Sequence, residues 1–274
     1  MPSVEIDKET VLCISMSVRP GSFGTTVHNE AFKACGLNFV YKSFGVSDIA
    51  GAIAGIRALG IMGSAVSMPF KETAIQYLDE LDDTAREIGA VNTIVNKDGT
   101  LIGYNTDAYG ARKALEGIPE ITSRKVLLLG AGGAAKAVVH ALRQLGVKGV
   151  IIANRTFDKA RALAENTGYD CAEWGDRSKM VPDVIVNTTS VGMHPDVDQC
   201  PIGESAIGGC SAVMDIVINP METLLLKTAK RLGKQTIPGY VMCLNQAAMQ
   251  FELYTQHSAP LDVMQKTVLS LLSA

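Results

Sequence analysis

An uninterrupted aliphatic run, Val126 to Leu129, leads directly into Gly130, Ala131, Gly132 and Gly133, and then into a segment with Ala134, Ala137, Val138, Ala141, Leu142 and Leu145 on one helical face. The run reads as a parallel strand buried on both faces. The glycines give the backbone freedom for a tight turn and let main-chain N–H groups come close to a diphosphate. Gly146 supplies the helix stop, and Val150 to Ala153 the next strand. The positive end of the helix dipole faces the glycine turn, which suits an anion. A glycine string alone is weak evidence, but the strand before it and the helix after it are the context a dinucleotide-binding turn requires. A tight turn without a ligand is the simpler alternative.

The second strand ends in Asn154, Arg155 and Thr156. A site that selects NAD usually places an acid here to accept hydrogen bonds from the ribose 2′-hydroxyl, and this chain has none. Arg155 can stack on adenine or fork onto a 2′-phosphate, Thr156 can donate to that phosphate, and Lys159 adds a compact charge. These residues favour NADP. The alternative makes Arg155 and Lys159 solvated charges and Thr156 a helix cap.

Ahead of the glycine turn, residues 11 to 17, 39 to 44 and 61 to 68 read as strands. Helices are expected over 26 to 34 and after Ser47, which can cap a helix carrying Ile49, Ile53, Ile56 and Leu59. This βαβαβ pattern makes two α/β units in one chain. Pro69, Phe70, Lys71 and Glu72 predict a further helix, with Ala74, Leu78 and Leu81 inward. Lys71 at its N-terminus would meet the unfavourable end of the dipole. Either it is exposed or it is held for proton chemistry. Val91 to Asn96 and Thr100 to Asn105 form a hairpin signal around Lys97, Asp98 and Gly99, which puts Asn92 opposite Asn105 with Asp107 at the same open end. Such a group suits a small polyhydroxy ligand, or else consists of turn and cap residues.

Beyond the second strand, helices are expected over 156 to 167, 224 to 232, 241 to 255 and 261 to 272, and strands over 183 to 187 and 212 to 217. The 187 to 193 string of small polar residues then lies at a strand's carboxyl end, where parallel sheets bind ligands. Gln246 sits among alanines and apolar residues, as a core amide or a ligand contact.

The net charge of −3 gives no overall positive field for nucleic acid or an anionic membrane. Six scattered cysteines without CxxC spacing read as reduced thiols, and four scattered histidines, with His140 on the polar side of its helix, support no metal site. The acidic N-terminus without an apolar core, and the lack of any membrane-length apolar run, point to the cytoplasm.

Seven strings in order, VSMPFKE (66–72), AVNTIV (90–95), GYNTDAYG (103–110), GAGGAAKA (130–137), NRT (154–156), NTTSVGM (187–193) and NQAA (245–248), make the chain resemble the shikimate dehydrogenase family over roughly residues 11 to 250. The resemblance implies an α/β chain of an N-terminal substrate-binding domain, 1–106, a Rossmann-type NADP domain, 107–237, and C-terminal helices, 238–274, packing back on the first. It implies a place in the shikimate pathway of aromatic amino acid biosynthesis. Lys71 and Asp107 would be the catalytic pair, and Ser22, Ser67, Asn92 and Gln246 would join them in holding the substrate. The cofactor would be NADP, held by Gly130, Ala131, Gly132, Gly133, Ala134, Asn154, Arg155, Thr156 and Lys159, and by Thr188, Ser190, Gly192, Met193, Val217, Gly239 and Met242. The partner would be a small cyclic hydroxy acid, and the assembly a monomer or homodimer.

Three departures stand out. Members that make shikimate carry His-Ser-x-Ser-Pro where this chain has Gly21-Ser22-Phe23-Gly24-Thr25. They carry Asn-Val-Thr where it has Ala65-Val66-Ser67, and a tyrosine where it has Ile218. With Arg19-Pro20 in the N-terminal loop, the chain is most similar to the shikimate-dehydrogenase-like branch. Arg19 can replace lost carboxylate contacts or be a surface charge. The competing expectations are quinate or another substrate for the same chemistry, and a nucleotide-binding sensor without turnover. A folate-type methylene dehydrogenase is disfavoured by the lack of a Tyr-x-x-x-Lys string in the first domain, 1–106.

Overall fold

The structure, a computed structural model, describes residues 6–273. Part of the N-terminal reading falls on residues 1–5, outside the described residues. The chain divides into two compact units, Met1–Thr106 with Leu244–Ala274, and Asp107–Cys243.

In the first unit β1 (Val11–Ser17) lies parallel to both β2 (Phe39–Gly45) and β3 (Gly63–Val66), with α1 (Phe23–Ala34) and α2 (Ile49–Ala58) connecting them. After β4 (Glu80–Leu81) and α3 (Asp83–Ile88), the hairpin of β5 (Thr93–Lys97) and β6 (Thr100–Tyr104) completes a mixed sheet of order β2-β1-β3-β5-β6-β4. β5 runs antiparallel to both β3 and β6. Ile14 and Met16 of β1, Val66 of β3, Ile94 of β5 and Leu101 of β6 are buried in one core.

Three local expectations are corrected. Helix α1 starts at Phe23, earlier than the expected Thr26. Asp48, not Ser47, caps α2, accepting the Gly51 N–H at 3.1 Å. The helix expected from Pro69 does not form: Lys71 lies in a turn ahead of a 3-10 turn, Thr73–Tyr77, and the chain is extended by Leu78. Sheet pairing overrides the helical pattern, because the Asp79 and Asp82 N–H groups donate to the carbonyls of Leu101 and Gly103 on β6 at 3.0 and 2.9 Å. The dipole argument for Lys71 therefore lapses.

Helix α4 (Thr106–Glu116) leads into the second unit. There follow β7 (Val126–Leu129), α5 (Gly133–Gln144), β8 (Val150–Asn154), α6 (Phe157–Thr167), β9 (Asp170–Glu173), β10 (Val184–Asn187), α7 (Glu204–Gly209), β11 (Ala212–Asp215), α8 (Leu224–Arg231) and β12 (Gln235–Pro238). The six strands form an all-parallel sheet of order β12-β11-β10-β7-β8-β9. Strand order reverses between β7 and β10, the switch point at which such sheets bind ligands. His140, expected in solvent, is buried, because α5 packs into one core with residues of α4 and α6. The unit boundary falls within α9 (Gly239–Thr255), and α10 (Leu261–Ser273) packs on α1. Among the described residues no helix is long and apolar enough to cross a membrane.

His28 on α1 is fully enclosed, its ring stacked on Tyr41 at 4.6 Å between centroids. Burial lowers its pKa to about 4. Between that value and about 6.5 the unfolded chain binds a proton that the native chain refuses, so stability is full above this window and falls as pH drops through it. The loss reaches on the order of 3 kcal/mol at the acid end. Urea titrations at pH 6.5 and 4.5 are expected to show a larger acid loss in the wild type than in His28→Phe; equal losses would contradict the assignment.

Candidate active site

In the first unit the start of β5 carries a buried polar cluster. Thr93 faces Tyr104 in the hairpin register and the Asn92 N–H donates to the Tyr104 carbonyl at 3.0 Å. Asn92 is therefore fixed at the open end of the hairpin, as its spacing predicts. Its Oδ1 accepts from the Thr106 N–H at 2.7 Å, the Thr93 hydroxyl at 2.9 Å and the Thr106 hydroxyl at 3.1 Å. Its Nδ2 donates to Gln246 Oε1 on α9 at 3.2 Å. Asn92 and Gln246, 154 residues apart, thus meet. Asn105 turns elsewhere, donating to the Ala90 carbonyl at 2.9 Å.

Lys71 is half-buried, and its carbonyl accepts the Val91 N–H at 2.8 Å, which ties its turn to the residue before Asn92. Asp107 directly follows Thr106 in the first turn of α4. Ser22 occupies the N-cap position of α1 without a side-chain cap bond, which leaves its exposed hydroxyl for other work. Ser67 is also exposed, its N–H held by the Met16 carbonyl at 2.9 Å. Gly24 packs on Tyr41: a Cβ there would lie 3.3 Å from the ring, so a serine would press against it. Thr93, Thr106 and Gln250, which sequence reasoning passes over, complete the cluster. The available signal is position: the threonines adjoin Asn92 and Asn105, and Gln250 lies one turn beyond Gln246.

In the second unit the turn after β7 meets the start of α5. Gly130 has φ +113°, and a Cβ there would lie 2.5 Å from Thr188 Oγ1. Gly132 and Gly133 are exposed and have open space where a Cβ would stand. Ala131 and Ala134 flank them, half-buried, and no side chain caps the helix. The first-turn N–H groups of a twelve-residue helix thus face an open cradle. At the end of β8, Asn154 Nδ2 donates to the Thr156 carbonyl at 2.8 Å, while Arg155, Thr156 and Lys159 are exposed. Thr156 is the N-cap of α6, yet its hydroxyl makes no cap bond.

Across the switch point, the Thr188 hydroxyl donates to the Leu129 carbonyl at 2.7 Å, which fastens the 187–193 segment to β7. Ser190 and Met193 are exposed, and Gly192 has φ +88°. Buried Asp215 anchors the segment from β11, accepting from Asn187 Nδ2 at 3.0 Å, the Val217 N–H at 3.0 Å and the Thr223 hydroxyl at 2.7 Å. Burial raises its pKa to about 6 while these three donors pull it down. Gly239 is dictated by packing, because a Cβ would fall 2.5 Å from backbone atoms of Ile216 and Val217. Met242 is buried in the second unit's core.

Comparison with known proteins agrees with this geometry. Residues 16–94 match the shikimate dehydrogenase substrate binding domain, residues 111–191 the shikimate / quinate 5-dehydrogenase family, and residues 239–269 the shikimate 5′-dehydrogenase C-terminal domain. A shikimate dehydrogenase-like protein of Haemophilus influenzae is 43% identical over 259 residues, 94% of each chain. A shikimate dehydrogenase (NADP(+)) of Caldanaerobacter subterraneus is 41% identical over 85% of this chain and 87% of its own. A solved shikimate dehydrogenase in complex with NADP+ superposes with a TM-score of 0.91 at 36% identity, covering 98% of both chains. Matches of this extent, spanning both the polar cluster and the glycine cradle, mean that the chain belongs to the shikimate dehydrogenase family, with the Haemophilus relative placing it in the shikimate-dehydrogenase-like branch.

Proposed function

We propose that the protein is an NADP-dependent dehydrogenase that interconverts shikimate, or a closely related cyclic hydroxy acid such as quinate, with its 3-dehydro ketone. The observation that carries this reading is the pair of buried Asn92 and half-buried Gln246, whose amide orientation is fixed by the Thr106 N–H. With Gln246 Oε1 engaged by Asn92, its Nε2 is the end turned to a ligand, so the pair offers N–H donors to substrate oxygens. Ser22 and Ser67 add hydroxyls.

The second unit fits a dinucleotide. The open N–H cradle at Gly130, Ala131, Gly132, Gly133 and Ala134 suits a diphosphate, and Arg155, Thr156 and Lys159, with Asn154 shaping their turn, suit a 2′-phosphate. Thr188, Ser190, Gly192, Met193, Val217, Gly239 and Met242 are the residues proposed to receive the rest of the cofactor. When bound, NADP supplies the hydride acceptor and its reduced form the donor. Lys71 takes up or returns the hydroxyl proton, and Asp107 orients it and balances its charge. Loss of the hydroxyl proton lets the carbinol carbon release its hydride. Gly24, Ala65 and Ile218 bring no hydrogen-bonding side chain where shikimate-forming members have one, and each missing buried bond costs about 1–3 kcal/mol. Turnover of shikimate itself is therefore expected to be low.

Nicotinamide absorbance during incubation with shikimate and then quinate, each with NADP and with NAD, tests the reading. Reduction in one pairing supports it and names the substrate. Silence in all four, with NADP still bound, would favour a sensor.

A further inference from the structure

We propose that Gln250 is a positioning residue for substrate recognition, acting through the Thr93 hydroxyl to hold the Asn92–Gln246 amide pair in its donor-presenting orientation. The proposal rests on the substrate role given above to that pair. Gln250 follows Gln246 by one turn of α9, so both side chains point to the start of β5. Its Nε2 donates to Thr93 Oγ1 at 2.9 Å and reaches the Asn92 carbonyl at 3.4 Å. At 2% exposure it is beyond a ligand's reach, so its effect must pass through its neighbours.

The proton arrangement follows from the one donor that cannot rotate. The Thr106 backbone N–H fixes Asn92 Oδ1, and this turns Nδ2 toward Gln246. Thr93 Oγ1, with a lone pair filled by Gln250, has its own proton directed to Asn92 Oδ1 at 2.9 Å or to the Thr106 hydroxyl at 3.0 Å, which itself reaches Asn92 Oδ1. The first route feeds Asn92 Oδ1 directly and the second feeds the amide pair through Thr106, whose hydroxyl lies 3.1 Å from Asn92 Oδ1 and 3.5 Å from Gln246 Oε1. Without Gln250, Thr93 can reverse and accept, and Asn92 keeps fewer donors on its oxygen.

The far end of Gln250 is held as well, by a hydrogen bond with His28. His28 Nδ1 has no partner in its buried setting, so the imidazole keeps its proton on the nitrogen that serves Gln250. Stacking on Tyr41 fixes the ring. A continuous set of buried contacts thus runs from α1 through α9 to the amide pair, all within the first unit.

The test compares the intact protein with Gln250→Leu, Thr93→Val, their double variant and Thr93→Ser. It reads the side-chain amide NMR resonances of Asn92 and Gln246 in the ligand-free protein, and the KM for shikimate or quinate and for NADP. Gln250→Leu and Thr93→Val are each expected to shift the two amides and raise the acid's KM about tenfold. The KM for NADP should stay unchanged, and the double variant should be no worse than either single. Thr93→Ser, which keeps the hydroxyl, should keep the wild-type resonances. Unmoved resonances in both Gln250→Leu and Thr93→Val would overturn the positioning role, with turnover leaving the functional reading intact. If the resonances shift but the wild type turns over neither acid, the recognition role fails together with the functional reading. Thr93→Val is nearly isosteric and keeps the test decisive where Gln250→Leu folds poorly.

Discussion

Lys71→Ala is expected to lower turnover of the accepted cyclic hydroxy acid by about a hundredfold to ten-thousandfold, the usual range for a lost general acid–base group. Affinity for NADP should be unchanged, because the residues proposed to receive it lie in the second unit. The Lys71 carbonyl holds the Val91 N–H through the backbone, which the substitution retains, so the turn and the neighbouring Asn92 stay in place. Lys71→Arg should not rescue the rate, since a guanidinium does not give up its proton in a protein. Steady-state rates and NADP titration of the three proteins check this. A rate in Lys71→Ala equal to the wild type would remove Lys71 from the mechanism.

Gly130→Ala should cost about 2–6 kcal/mol of stability and abolish tight dinucleotide binding. Two effects combine at this position. A φ of +113° is strained for any residue with a Cβ, at about 1–3 kcal/mol. The added carbon would also lie 2.5 Å from Thr188 Oγ1, which cannot swing away without releasing the Leu129 carbonyl. Overpacking of this kind costs about 1–3 kcal/mol more. The loop carrying the cradle N–H groups must then shift. Melting temperature and calorimetric titration with NADPH give the two readouts. An unshifted melt with wild-type affinity would show that the turn tolerates a side chain.

The second unit was the more legible in sequence, because its signals are local. Val126 to Leu129 is buried in full, and a glycine turn between strand and helix has few other meanings. The edge strands β9 and β12 carry no such pattern: Asp170 and Glu173 are exposed, and the four-residue segment pairs with only one neighbour. In the first unit the hairpin register could be counted from Gly99, and it put Asn92 where the structure has it. The helix expected at Lys71 failed because Asp79 and Asp82 are drawn to β6, a contact across some twenty residues that periodicity does not record. Gln250 and His28 escaped notice for a similar reason. A lone polar residue in an apolar helix looks like a tolerated exception until its partner, here 157 residues away on β5, is seen.

That the first unit draws on residues at both ends of the sequence has a consequence for synthesis. The second unit is continuous and can close as soon as its own residues leave the ribosome. Asn92 must wait for Gln246, 154 residues later, a delay of roughly 8–30 s at ordinary elongation rates. Until then the start of β5 exposes Asn92 and Thr93 without the two glutamines that complete their hydrogen bonding. The amide pair is thus among the last features to mature, and premature termination between Cys243 and Gln246 yields a chain that holds the whole second unit but not the amide pair.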